Sequence, residues 1–126
     1  MKWRHRCKKW LTFGSGNLLD VLILIILSKK QSYGYSLIEE IGKLGINISF
    51  LHPAIVYRNL RNLELEGLVI SNWEIGTSGP ARRVYRITED GKKYLENWYI
   101  HAKNDFMIIK NIIEEIEKIL EKKGGD

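Results

Sequence analysis

From Leu95 onward, apolar residues recur as Leu95, Tyr99, Ala102, Phe106, Ile109, Ile113, Ile116 and Leu120, with gaps of 4-3-4-3-4-3-4. A heptad rhythm held that strictly predicts one long helix with a continuous apolar seam. Trp98, Ile108, Ile112 and Ile119 widen the stripe. No other segment of the sequence is left over to cover so broad a face, and large exposed apolar patches are rare on monomers. The matching helix of a second copy is the natural cover; folding back onto the same domain is the alternative. Thr88-Glu89-Asp90-Gly91 opens this helix, Thr88 and Gly91 making an imperfect capping pattern.

The rest of the chain must form the body. With 126 residues, 44% hydrophobic and 28% charged, it predicts one globular domain with a modest core. The net charge of +5 is unevenly placed. Lys2, Arg4, Arg6, Lys8 and Lys9 stand without an acid in residues 1–16, so residues 17–126 balance to zero. The same segment carries Trp3, Trp10 and Phe13. Cations interleaved with aromatics can grip a phosphate backbone; equally, the rings can pack on the body while the cations face water. Gly14-Ser15-Gly16 then reads as a flexible joint.

Several function classes fall away. One cysteine, Cys7, permits no internal disulfide. His5 and Cys7 make at most two metal ligands where a closed zinc site needs four, and His52 and His101 lie far off, so no metal and no cofactor are expected. The apolar run Leu18–Leu27 after the basic start loosely mimics a secretion signal, but Asp20 interrupts it and no small-residue cleavage site follows. The run is also too short to span a membrane. The reading is a cytoplasmic protein with no membrane partner. Catalysis needs an acid, base or nucleophile converging in a cleft; three scattered histidines, no phosphate loop and no paired carboxylates predict no enzyme.

In chain order, Asn17 can cap a helix starting at Leu18, and residues 18–29 are so apolar that it must be buried on most sides. Asp20 in its first turn suits the helix dipole, and Lys29-Lys30-Gln31-Ser32 ends it. A second helix is expected from about Tyr35 to Lys43, striped by Leu37, Ile38 and Ile41. Gly34 just before it lets backbone approach something closely. Residues 46–51 suit a short extended piece.

The third helix lies in HPAIVYRNLRNLELEG, residues 52–67. Pro53 fits its first turn and Gly67 the position just past its end. Val56, Leu60 and Leu63 face a core, while Ala54, Arg58 and Arg61 fall within about 60° of arc on another face, with Tyr57 at the border. Taken alone this is equally an ordinary amphipathic helix with solvated arginines. Leu68–Ile75 and Val84–Ile87 read as two strands joined through Gly76-Thr77-Ser78-Gly79-Pro80, with Arg82 and Arg83 at the tip.

Three helices, a hairpin with a basic tip, then a long heptad helix is the layout of a winged helix-turn-helix domain with a C-terminal dimerisation helix. The fold class is mainly α with a small β-hairpin wing: a tail over 1–16, a winged domain over 17–91 and a dimerisation helix over 92–126. At this level the chain resembles PadR-family transcriptional regulators of the compact branch. The motifs are Tyr33-Gly34-Tyr35 with Leu37-Ile38-Glu39; Pro53-Ala54-Ile55-Val56-Tyr57 with Leu60, Leu63, Glu64 and Gly67; and Pro80, Arg82-Arg83, Tyr85 and Thr88-Glu89-Gly91. The family often has Gly where Ala54 stands and Pro where Arg58 stands.

The resemblance implies a homodimeric repressor on double-stranded DNA with a palindromic operator. Expected DNA contacts are Tyr35, Ser36, Pro53, Ala54, Tyr57, Arg58, Arg61, Arg82 and Arg83. Leu95, Tyr99, Ala102, Phe106, Ile109, Ile113, Ile116 and Leu120 form the expected dimer seam. A small aromatic effector is expected beside Trp98, with Tyr99, His101 and Ala102, since relatives house flat ligands between subunits. The alternative is a winged-helix module for protein–protein contact, against which Arg58 and Arg61 argue.

Overall fold

The computed structural model describes residues 17–45, 51–76 and 79–124. The basic segment 1–16, with its proposed phosphate-gripping cations, lies outside those residues, as do nearly all of the extended piece expected at 46–51 and the middle of the turn at 76–80. The described chain forms α1 (Asn17–Lys29), β1 (Ser32–Tyr33), α2 (Gly34–Lys43), α3 (Pro53–Leu65), β2 (Val69–Glu74), β3 (Arg82–Ile87) and α4 (Glu89–Gly124). It divides after Leu95 into two compact units.

In the first unit, α1 is buried nearly all round, as its unbroken apolar run requires: Leu19, Val21, Leu22, Ile23, Leu24, Ile26 and Leu27 are all inside. It begins at Asn17, the residue expected to cap it, so the capping position falls outside the described residues. Leu37 and Ile41 of α2 and Val56, Leu60 and Leu63 of α3 complete the helical part of the core. Leu68, Val69 and Tyr85 close it from the strands, and Tyr94 and Leu95 at the start of α4 pack against it. Leu95, the first position of the heptad series, therefore serves the core of this unit.

The strands form one antiparallel sheet in the order β1-β3-β2. The hairpin matches the sequence reading, with two corrections. Residues 32–33 are not merely the end of α1: Ser32 pairs with Tyr85 and Tyr33 with Val84, adding a third strand. And β3 starts two residues before Val84, so Arg82 and Arg83 are not at the tip but paired opposite Glu74 and Trp73.

Two backbone devices fix the connections. α3 ends in a Schellman turn: Gly67 takes φ of 78°, its N–H donates to Glu64 O at 3.0 Å, and Leu68 N–H donates to Leu63 O at 2.9 Å. Thr88 then caps α4, its Oγ1 accepting from Gly91 N at 3.1 Å and donating to Gly67 O at 2.7 Å. One hydroxyl thus holds the end of α3 to the beginning of α4. Gly91 is buried, and a Cβ there would overlap the Leu68 carbonyl and the Ile87 side chain.

The second unit is the remainder of α4. Tyr99, Phe106, Ile109, Ile113, Ile116 and Leu120 are each 40–61% exposed on this chain. Ile100, Met107, Ile108, Ile112 and Ile119 add to the bare apolar surface.

Asp20 is the one acid of the largely buried α1. Its carboxylate accepts from Asn59 Nδ2 at 3.0 Å, joining α1 to α3. Burial pushes its pKa up from 3.8 to about 6; the Asn59 hydrogen bond opposes the rise and the Glu66 carboxylate adds to it. A folded-state value above the unfolded one means the group's stabilising share is fully present below the unfolded value of 3.8 and lost as pH rises through about 6. Asp20→Asn, which keeps an acceptor for Asn59, should match the wild type near pH 4 and exceed it by about 1 kcal/mol at pH 7.5, allowing for screening at a half-exposed carboxyl. Urea unfolding of both proteins across that range measures the difference.

Candidate nucleic-acid interface

The start of α3 is built by two adjacent residues. His52 is the N-cap, its Nδ1 accepting from Ala54 N at 3.1 Å, and Pro53 occupies the first turn, where no N–H is needed. The helix then turns Val56, Asn59, Leu60 and Leu63 inward. That leaves Pro53, Ala54, Tyr57, Arg58 and Arg61 exposed. Ala54 keeps the first turn of this surface low, so a partner can come close to the backbone there. Arg58 and Arg61 make no hydrogen bond or ion pair among the described residues.

α2 meets α3 where residue 34 has no side chain. A Cβ on Gly34 would overlap the Tyr57 ring, so the close approach expected at Gly34 is made by Tyr57. Tyr35, in the first turn of α2, is 52% exposed, and Ser36 beside it is half-buried. The Tyr35 ring stacks on Tyr33, centres 5.5 Å apart and planes within 3°.

The hairpin arginines are held by their neighbours. Arg82 donates to the Tyr35 hydroxyl at 2.9 Å and lies 5.7 Å and 5.8 Å from the Tyr33 and Tyr35 ring centres. Arg83 donates from Nε to Ser71 Oγ at 2.9 Å, lies 5.4 Å from the Trp73 ring centre and stands 3.9 Å from Glu64. Glu64 in turn accepts from Ser71 N at 3.0 Å and Ser71 Oγ at 2.7 Å. The Tyr33 hydroxyl donates to Glu74, which holds its phenol above the ordinary tyrosine pKa. The face therefore carries four arginines against two carboxylates, and both carboxylates are engaged within the domain.

The expected DNA contacts thus gather on one unit, in three groups: Tyr35 and Ser36 on α2; Pro53, Ala54, Tyr57, Arg58 and Arg61 on α3; Arg82 and Arg83 on β3. Tyr33, Glu64, Ser71 and Trp73, which hold the hairpin side of this surface, were not among the expected site residues. Glu64 and Tyr33 stand in recognisable motifs, but no sequence spacing shows that Glu64 reaches Ser71 or that Tyr33 reaches Glu74. In the second unit, Trp98 and Ala102 are half-buried, whereas Tyr99 and His101 are exposed. Lys103 lies over the Tyr99 ring and donates to its hydroxyl at 3.2 Å.

Comparison with known proteins supplies an independent line. The profile of the transcriptional regulator PadR-like family matches residues 23–97. An uncharacterized protein of Lysinibacillus sphaericus is 32% identical over 77 residues, covering 61% of this chain and 71% of that one. A crystal structure of a PadR family transcription regulator from Clostridium difficile superposes with a TM-score of 0.59 at 30% identity, covering 77% of this chain and 95% of that one. The structure of Bacillus subtilis PadR in complex with operator DNA superposes with a TM-score of 0.58 at 26% identity, covering 67% of this chain and 48% of that one.

Glu64 is the group whose loss should be felt most on the hairpin side of the surface. Glu64→Ala strands the Ser71 N–H and removes the counter-charge of Arg83, and should cost about 1–3 kcal/mol in urea unfolding. Glu39→Ala, at an exposed position of α2, should stay within about 0.5 kcal/mol of wild type.

Proposed function

This chain belongs to the transcriptional regulator PadR-like family, and on that premise we propose that it is a homodimeric repressor that binds a palindromic operator, acting in the cytoplasm where that DNA lies. The carrying observation is the exposed N-terminal half of α3, where Ala54, Tyr57, Arg58 and Arg61 share one surface with the arginine-bearing hairpin. A helix with this exposure enters the major groove N-terminal residues first. Arg58 and Arg61 have the reach and the five donors needed for base edges or adjacent phosphates. Tyr35 and Tyr57 offer hydroxyls to the backbone, and Arg82 and Arg83 lie on the wing. The superposition on a relative bound to operator DNA supports this reading.

Dimerisation rests on the second unit. Its heptad residues other than Ala102 stay bare on a single chain, and an a/d-type stripe of isoleucines is satisfied by an equivalent helix. The effector reading rests on Trp98, Tyr99, His101 and Ala102, aromatic walls around one small residue with two polar groups, a mixture suited to a flat aromatic ligand between subunits. Its binding would release the operator.

Arg58→Ala and Arg61→Ala should each cost about 1–3 kcal/mol of operator affinity and relax specificity. Arg82→Ala should weaken all sequences alike and flatten the salt dependence. Unchanged affinity in both α3 variants, measured by fluorescence anisotropy on the operator, overturns the assignment of the face. Ile109→Asp or Ile113→Asp should yield monomer or unfolded chain in sedimentation, where the wild type sediments as a dimer; a folded wild-type monomer contradicts the seam.

A further inference from the structure

Three helices of the first unit meet at one acid. Asp20 lies in the first turn of α1 between Leu19 and Val21, both buried. α3 reaches it with Asn59, itself only 7% exposed, whose Nδ2 donates to the carboxyl at 3.0 Å. Glu66, at the end of the same helix, is exposed and adds a second negative charge. From α4 comes Tyr94, which packs on the core. Its phenol is held above the ordinary tyrosine value by burial first, then by the Asp20 and Glu66 carboxylates.

The corner therefore gathers two carboxylates and a phenol around one neutral amide. Among the described residues neither carboxylate forms an ion pair, and no charged group of α2 or of the strands acts on Asp20. Two effects compete there. Ionised, Asp20 gains a stronger, charge-assisted hydrogen bond from Asn59. It also loses water on its apolar side and meets the charge of Glu66. Its pKa, pushed up to about 6, shows that the second effect wins. A neutral carboxyl still offers Asn59 an acceptor, so the neutral corner keeps its tie between α1 and α3 without the cost of a half-buried charge.

We propose that Asp20 is a proton-operated joint. Neutral, it holds α1, α3 and the first turns of α4 together; ionised, it draws in water and opens that corner while the rest of the core stays closed. Such an opening is local unfolding of one part of a folded domain. α3 carries Arg58 and Arg61 on its outer side, so a looser corner presents them less firmly. That consequence rests on the DNA-binding reading; the joint itself does not.

Hydrogen exchange of the full chain without DNA tests the joint, so its failure and a failure of operator binding are read separately. Exchange is followed at about pH 4 and pH 7.5, with and without sub-denaturing urea. A local opening exchanges faster than the core strands and hardly responds to urea. The amides of residues 20–24 and 92–95 should show such an opening. Their protection, corrected for intrinsic rates, should fall about tenfold from the lower pH to the higher, an amount that allows for screening at a half-buried carboxyl. Asp20→Asn should abolish the fall. Glu66→Gln, at an exposed position, removes the neighbouring charge and should make the fall smaller; it keeps the test decisive even where Asp20→Asn does not fold. Corner amides that exchange only through global unfolding, a fall that survives in Asp20→Asn, or a Glu66→Gln profile equal to the wild type overturns the proposal.

Discussion

One carboxylate joins the helix that presents the exposed arginines to the hairpin beside it. Glu64 lies near the end of α3, and its side chain gathers the Ser71 amide and hydroxyl from β2 and, through Ser71 and directly, the Arg83 guanidinium from β3. The Schellman turn at Gly67 and the Thr88 hydroxyl secure the same corner from the backbone side. On the proposed DNA-binding reading, the surface must match the fixed spacing of a groove, and such ties serve that match. Arg58 and Arg61 can be placed accurately relative to Arg82 only if α3 and the hairpin move as one piece. A surface ion pair alone contributes little; a carboxylate shared between a backbone amide, a hydroxyl and a guanidinium is a network, and networks fix geometry.

What was legible in the sequence follows from periodicity and punctuation. α1 announced itself by an apolar run too long for one face, α3 by Pro53 and Gly67 at its ends with Val56, Leu60 and Leu63 between, and α4 by its heptads. The close approach at Gly34 was also readable, because a glycine ahead of a helix is a statement about space. Three features were not. β1 has two residues, and two residues carry no alternation. The extent of β3 was hidden because arginines beside a glycine- and proline-rich turn look like loop; pairing opposite Trp73 and Glu74 settles them as strand. And the ties of Glu64, Tyr33 and Asn59 are long-range contacts between polar groups, for which single-sequence periodicity has no signal.

Asn59 shows the cost of that blindness. On a helical wheel it is one more polar residue; in the fold it is buried and donates to Asp20, the acid interrupting the most apolar segment of the chain. A carboxylate placed there needs a donor, and α3 provides it from its inner side. The outer side of the same helix is left to Tyr57, Arg58 and Arg61. Tyr57 also packs its ring on Gly34 of α2, so it serves the fold as well as the exposed face.

In the proposed function the α3 surfaces of two copies act together on DNA. Genomic footprinting of the bound protein tests it most directly. Protected sites should lie next to promoters, each built of two inverted half-sites about one helical turn, roughly 10 base pairs, apart from centre to centre. Protection without dyad symmetry, or no protected site at all, would contradict it.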